Sequence, residues 1–263
     1  MSAPARQEPA GRALLIGALA DLFAGCRHVA VGVSSPLPGA AALLARRRAN
    51  GALRVSILGS IQQNSFTDGG VELFDCAAQG RIDAFVLSGG QIDGQGSLNL
   101  VGVGPYPTSK KRWAGSFGSA YLYLLVPRVI LFREEHTRRV MVEKLDFVSA
   151  PGRSDKGVYR RGGPFALLTG LALFDYDGAR GRFRLRSVHS GHSLEEVLDN
   201  TAFAFDRPER VPTTPAPDAE TLALIRGPIL AEIAETYPRF AAGFATPDDA
   251  EEAAARRCKP YPT

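Results

Sequence analysis

The stretch with the most exposed main-chain chemistry is Val86-Leu87-Ser88-Gly89-Gly90-Gln91-Ile92-Asp93-Gly94-Gln95-Gly96. An apolar run enters paired glycines and then polar side chains. Main-chain amides are thereby left at the end of a strand, where a carbonyl or phosphate oxygen can approach closely. A second stretch, Gly115-Ser116-Phe117-Gly118-Ser119, precedes a helical run whose first amides suit an anion, and Lys110, Lys111 and Arg112 lie just upstream. It is not a P-loop, because no Gly-Lys-Ser or Gly-Lys-Thr follows, and it lacks the glycine spacing of a dinucleotide fingerprint. A plainer reading competes with both: Gly-rich turns in which Gln91 and Asp93 cap the backbone.

Side chains able to act as nucleophiles, bases or metal ligands are sparse. His28, His136, His189 and His192 have no His, Cys or acid at zinc-ligand spacing, so no metal is implied. No Gly-x-Ser-x-Gly elbow marks a serine nucleophile. Arg133-Glu134-Glu135-His136-Thr137-Arg138-Arg139 is a charge run of the kind that forms a solvated face. Cys26, Cys76 and Cys258 are odd in number and widely spaced, which points to a reduced, cytoplasmic setting.

The elements that must position these residues alternate. His28 to Val33, Leu53 to Leu58, Asp83 to Leu87 and Val129 to Phe132 read as strands, and Ser97 to Val101 as a further short one. Helical runs separate them: Ala40 to Arg48, ending in three arginines, Val71 to Gln79, and Gly115 through Leu124. This implies an α/β fold, a mostly parallel open sheet with helices on both faces and ligands beyond the carboxyl ends of the strands. Ala13 to Ala24 reads as an amphipathic first helix. Ala166 to Tyr176 and Arg182 to His189 flank Asp177-Gly178 as a C-terminal hairpin. Ser193 to Glu196 is a capping box, Pro208 to Pro217 an extended connector with four prolines, and Thr221 to Tyr237 a last helix. One domain is expected over residues 1–245, with a frayed tail over 246–263. An excess of four positive charges spread over 263 residues implies no nucleic-acid partner. No apolar run is long enough to imply a membrane span.

Four segments in order resemble the β subunit of family I coenzyme A transferases of the glutaconate CoA-transferase type. They are Val31-Gly32-Val33 through Pro38 to Ala42, Phe85 to Asn99, Phe147 to Gly152, and Ser187 to Phe205. Ser88-Gly89-Gly90-Gln91-Ile92-Asp93 is similar to the family's Gly-Gly-Ala-Gln-Val-Asp motif, and His189-Ser190-Gly191-His192-Ser193-Leu194-Glu195-Glu196-Val197 to a further block. The resemblance implies a hetero-oligomer with an α subunit, acyl-CoA bound at their interface, and coenzyme A present as part of the substrate, with no permanently bound cofactor. Gly89 and Gly90 would offer amides to the thioester oxygen, and Gln91 would orient substrate or a neighbouring loop. Gly115, Ser116 and Gly118 would contribute to the CoA site. Family transferases carry a catalytic glutamate after the second strand, which attacks the thioester. That position falls near Leu58 and Gly59, where the sequence reads Leu58-Gly59-Ser60-Ile61-Gln62, and no Glu occurs between Glu8 and Glu72. Ser60, Gln62 and Asn64 would line the vacated position. A branch of the family that hydrolyses carbon-carbon bonds in ring-containing CoA thioesters also lacks this glutamate, so the resemblance leaves transfer, hydrolysis and a non-catalytic CoA-binding or scaffold subunit open.

Overall fold

The computed structural model describes residues 9–244; the tail expected over 246–263 and Cys258 lie outside them. The chain begins with α1 (Pro9–Leu22), β1 (His28–Val31), α2 (Pro36–Arg48), β2 (Arg54–Ile57), α3 (Gly69–Ala78) and β3 (Ala84–Leu87). Two miniature hairpins follow: β4 (Gln91–Ile92) pairs with β5 (Leu98–Asn99), and β6 (Gly102–Val103) with β7 (Lys111–Arg112). Then come α4 (Ser119–Leu125), β8 (Arg128–Arg133), β9 (Pro164–Thr169), β10 (Ala172–Asp177), β11 (Arg182–Val188) and α5 (Leu194–Asn200). The seven-stranded sheet runs β11-β10-β9-β8-β3-β1-β2. It is parallel from β2 through β9, and β10 and β11 continue it antiparallel.

The strands β1, β3 and β8 are apolar and buried on both faces, as parallel strands covered by helices must be. One core lies between the sheet and α1 and α2, the other between the opposite face and α3, α4 and α5. The chain leaves β1 for β2 on one side and returns across it to β3 on the other, so the strand order switches between β1 and β3. In an open α/β sheet this is where a crevice opens beyond the strand ends.

Several expectations change in detail. The first helix is buried almost all round from Ala13 to Ala20, not amphipathic, because Pro217 of the connector covers the side near Gly17 while α2 and the sheet cover the rest. Gly170 and Leu171 break the expected strand over Ala166 to Tyr176 into β9 and β10. The turn at Asp177 is not a two-residue one. The Asp177 carboxylate accepts from the amides of Ala179 and Arg180, and Gly181 (φ +68°) closes the loop on the Asp177 carbonyl. The proline-rich connector is partly pinned: the Thr214 amide donates to the Val188 carbonyl and the Val188 amide to that of Pro212, along the sheet edge. The last helix divides into α6 (Ala219–Leu224), a π-helical turn over Ile225–Ile229, and α7 (Leu230–Ile233), before α8 (Pro238–Ala242). Pro228 lies in that turn. It lacks an amide proton, and its ring clashes with an α-helical carbonyl, so the ladder widens around it. Only one arm of the capping box forms. Ser193 Oγ accepts from the Glu196 amide at 3.1 Å, while the Glu196 carboxylate meets His192 Nδ1 at 2.9 Å.

Candidate active-site cleft

The carboxyl ends of β3 and β8 open into a cleft of about 540 Å³. Ser88, Gly89, Gly90 and Gln91 form one wall, and the segment from Lys110 to Gly115 faces them. Apolar surface comes from Leu100, Val103, Trp113 and Val140. Arg133, at the end of β8, and Arg139 complete the rim.

The glycine pair does two different things. The Gly89 amide meets no acceptor among the described residues, and the residue is buried in the cleft wall. Gly90 departs from the expectation: its amide donates to the Asn99 carbonyl at 2.9 Å as part of the β4–β5 pairing, so it is not free for a ligand oxygen. What Gly90 supplies is space. A Cβ there would lie 2.2 to 2.5 Å from three atoms of the Trp113 ring, so the indole can lie against this backbone only because the residue is glycine.

Gln91 lines the cleft wall and holds a neighbouring loop. Its side chain is buried; Oε1 accepts from Asn99 Nδ2 (2.7 Å) and the Asp146 amide (3.1 Å), and Nε2 donates to Asp146 Oδ2 (3.0 Å). Asn99, fully buried, also donates to the Gly102 carbonyl and accepts from the Val101 amide. The network ties the wall of the cleft to the loop that carries Asp146, whose carboxylate in turn holds the Gly104 amide. Asp93 behaves as a turn former, accepting from the amides of Gln95 and Ser97. Burial pushes its carboxyl up against those amide bonds. Replacing Gln91 with Ala removes one of the two acceptors of the buried Asn99 Nδ2 and both bonds between Gln91 and Asp146, and urea denaturation is expected to show a loss of about 1–3 kcal/mol.

Gly115 reaches the cleft; Ser116 and Gly118 do not. The Ser116 carbonyl accepts the Ser119 amide, and Gly118 lies under the Phe74 ring, where a Cβ would meet the ring at 2.1 Å. The helix they open, α4, has seven residues. Phe117, at φ +46°, points its ring outward against Phe74 and is 82% exposed.

Ser60 and Gln62 lie outside the cleft, on the turn after β2. Gln62 is exposed, and Asn64 caps the Phe66 amide. Ser60 is buried and donates to Glu235 Oε2 at 2.6 Å, while its oxygen accepts from the Gln63 amide. The Ile61 amide donates to Glu235 Oε1 at 2.9 Å and the Thr236 hydroxyl to Oε2. A carboxylate therefore does sit on the glutamate-less turn, supplied from 175 residues away. The Ser60 hydroxyl, with Thr236 and the Ile61 amide, holds it below the usual carboxylate range. Both of its oxygens are engaged in fastening the C-terminal segment to the sheet, an attachment that Tyr237 repeats by accepting from the Ser35 amide. No local sequence signal announces Glu235.

The charge run from Arg133 to Arg139 is a solvated face only in part: Glu134, Arg138 and Arg139 are exposed, as expected. His136 is buried between Thr169 and Thr201, and Arg133 and Arg139 border the cleft. Among the described residues, no three His, Cys, Asp or Glu are placed to hold a metal, and no helix is long and apolar enough to cross a membrane.

A mostly parallel sheet with helices on both faces, a switch point, and a glycine-walled cleft beyond its strand ends define an open α/β fold. The family follows from direct comparison: the profile described as Coenzyme A transferase matches residues 10–200, and the chain belongs to that family. It is 32% identical over 153 residues to the B chain of glutaconate CoA-transferase from Acidaminococcus fermentans, an alignment covering 56% of each protein. It is 30% identical over 159 residues to the cholesterol ring-cleaving hydrolase IpdB subunit of Rhodococcus jostii, covering 59% of this chain and 62% of that one. The chain thus spans less than two thirds of either relative. The crystal structure of the decarboxylase AibA/AibB shares its fold, with a TM-score of 0.72 at 22% identity over 90% of this chain and 99% of that one.

Proposed function

We propose that this chain is the β-type subunit of a heteromeric enzyme that acts on an acyl-CoA thioester, with the thioester carbonyl seated in the cleft against the Gly89 amide. That amide, just past the carboxyl end of β3 and unpartnered among the described residues, carries this reading. A fixed donor aimed at a developing oxyanion stabilises charge without reorganisation when the carbonyl is attacked. The α-type partner is proposed from the relatives, whose own names mark them as one of two different subunits. The free thiols Cys26 and Cys76 suit a reducing, cytoplasmic compartment.

A second reading concerns the reaction, and the turn after β2 favours it. Leu58, Gly59, Ser60 and Ile61 offer no carboxylate of their own, and Glu235 is occupied by three donors. Ping-pong transfer through a glutamate of that turn is therefore not available to this chain. Hydrolysis of a carbon-carbon bond in a ring-containing acyl-CoA, with the base on the partner, needs no such group. The test is to incubate the co-purified pair with an acyl-CoA, with and without a free carboxylic acid. Consumption in water alone supports the hydrolytic reading, and acceptor-dependent CoA exchange assigns transfer with a carboxylate from the partner. Binding of acyl-CoA without consumption of any ester under either condition leaves a scaffold subunit and overturns the enzyme.

A further inference from the structure

A second pocket, of about 290 Å³, opens at the other end of the sheet, where Pro127 leads into β8 and Pro164 begins β9. The loop from Gly152 to Gly163 supplies Arg153, Ser154, Arg160 and Arg161 to its wall, and no Asp or Glu is among its described lining residues. Arg160 builds the loop. Half-buried over the Tyr123 ring, it donates to the carbonyls of Gly162, Tyr123 and Pro151 and to the Ser154 oxygen. Arg153 and Arg161 are exposed and make no hydrogen bond or ion pair among the described residues. Each rests on a glycine: a Cβ on Gly181 would lie 1.9 Å from Arg153 Nη1, and a Cβ on Gly80 1.9 Å from Arg161 Nη1. The acids that act on the neighbouring Tyr176 are engaged elsewhere, Asp177 by the amides of Ala179 and Arg180 and Asp93 by those of Gln95 and Ser97. Asp155, on the same loop, pairs with none of the three arginines.

We propose that this pocket binds a phosphate group other than those of the acyl-CoA, as the free ion or on a small phosphate ester, between Arg153 and Arg161. The proposal does not depend on the acyl-CoA reading: the six residues of β8 set the pocket roughly 17 Å from the cleft, at about 3.3 Å per residue. Because the Ser154 oxygen already accepts from Arg160, its hydroxyl proton is left to donate, and the Gly163 amide has no acceptor among the described residues. Donors from four chain positions thus line one small pocket. A tetrahedral phosphoryl group presents its oxygens in as many directions, whereas the two oxygens of a carboxylate lie in one plane. Guanidinium groups bind phosphate through paired, charge-assisted bonds, and a wall without carboxylates leaves their charge uncompensated.

The measurement is calorimetric titration of the assembled enzyme with inorganic phosphate and with AMP, at an ionic strength of about 0.15 M that screens diffuse attraction. Phosphate is titrated again in the presence of saturating free CoA. Saturable binding is expected, weakened roughly tenfold or more by Arg153→Gln and by Arg161→Gln; both side chains are exposed, so the variants keep the fold. Gly181→Ala retains every charge but moves the Arg153 guanidinium, and should weaken phosphate severalfold. Tighter binding of AMP than of phosphate assigns the ester as the source, and equal or weaker binding the free ion. Absence of saturable binding of either probe, or binding that the arginine variants leave unchanged, overturns the proposal. Displacement of phosphate by CoA also overturns it, by making the pocket part of the acyl-CoA site.

Discussion

Gly90→Ala should cost the assembled enzyme at least tenfold in affinity for an acyl-CoA, with a loss of about 1–3 kcal/mol in stability. The methyl group would sit 2.2 Å from the Trp113 ring, well inside van der Waals contact. The indole has to swing off the β4 backbone, and with it goes the apolar wall facing Gly89. Gly115→Ala provides the contrast on the same cleft. No described atom lies within 4 Å of its Cβ, so the only penalty is a residue with a side chain at φ +102°. That variant should lose about 1 kcal/mol of stability and keep Trp113 in place. Trp113 is the only tryptophan, so its emission spectrum reports the displacement directly. A red shift in Gly90→Ala with none in Gly115→Ala is the expected pattern; an unshifted spectrum in Gly90→Ala contradicts the packing.

The second large effect is on acid stability. His136 and His189 are buried beside the same residue, Thr169. His136 Nδ1 meets its hydroxyl at 2.7 Å and Nε2 meets that of Thr201. His189 Nε2 donates to the Thr169 carbonyl, and Nδ1 meets the Thr214 hydroxyl. Burial in apolar surroundings pushes each ring down from 6.5 to about 4; the charge of neighbouring histidines adds to the effect, His189 and His192 for His136, and His192 for His189. In the unfolded chain the rings titrate near their ordinary value, so between pH 4 and 6.5 the unfolded state binds more protons. Stability is fully present above pH 6.5 and is lost as the pH falls towards 4. At pH 5 each ring should have given up about 2 kcal/mol, and about 3 kcal/mol by pH 4. Asp83 and Glu135, held below the carboxylate range by hydrogen bonds from Arg27 and from Arg139 despite their desolvation, remain ionised at pH 5. The drop between pH 7.5 and pH 5 therefore belongs chiefly to the histidines. Urea unfolding at the two pH values measures it, and an unchanged midpoint contradicts the burial of both rings.

Much of the frame was legible in the sequence because local physics sets it. The β-branched run at His28 to Val31, the arginines closing α2 and the glycines after β3 all signal their elements without help from the rest of the chain. What was not legible depends on contacts made across the fold. Gly90 and Gly89 look alike in sequence, and only the pairing of β4 with β5 spends one amide and leaves the other. The charged residues from Arg133 to Arg139 follow a solvent-exposed pattern, which Glu134, Arg138 and Arg139 keep, yet β8 ends in the middle of the sheet, so Arg133 and Arg139 border the cleft and His136 falls into the core. The carboxylate at the Ser60 turn comes from Glu235, whose surroundings in sequence say nothing about β2. Pro228 is the opposite case, a visible helix breaker whose consequence was a π turn rather than an end.

The placement of the acyl-CoA is the claim on which the rest depends, and hydrogen-deuterium exchange on the assembled enzyme tests it most directly. With a saturating CoA ester, amide exchange should slow at Ser88 to Gln91, at Lys110 to Gly115 and at Arg133 to Val140, with the Gly89 amide among the most protected. Protection confined to other segments, such as the arginine-rich loop from Arg153 to Gly163, would place the ligand elsewhere and contradict the assignment of this cleft.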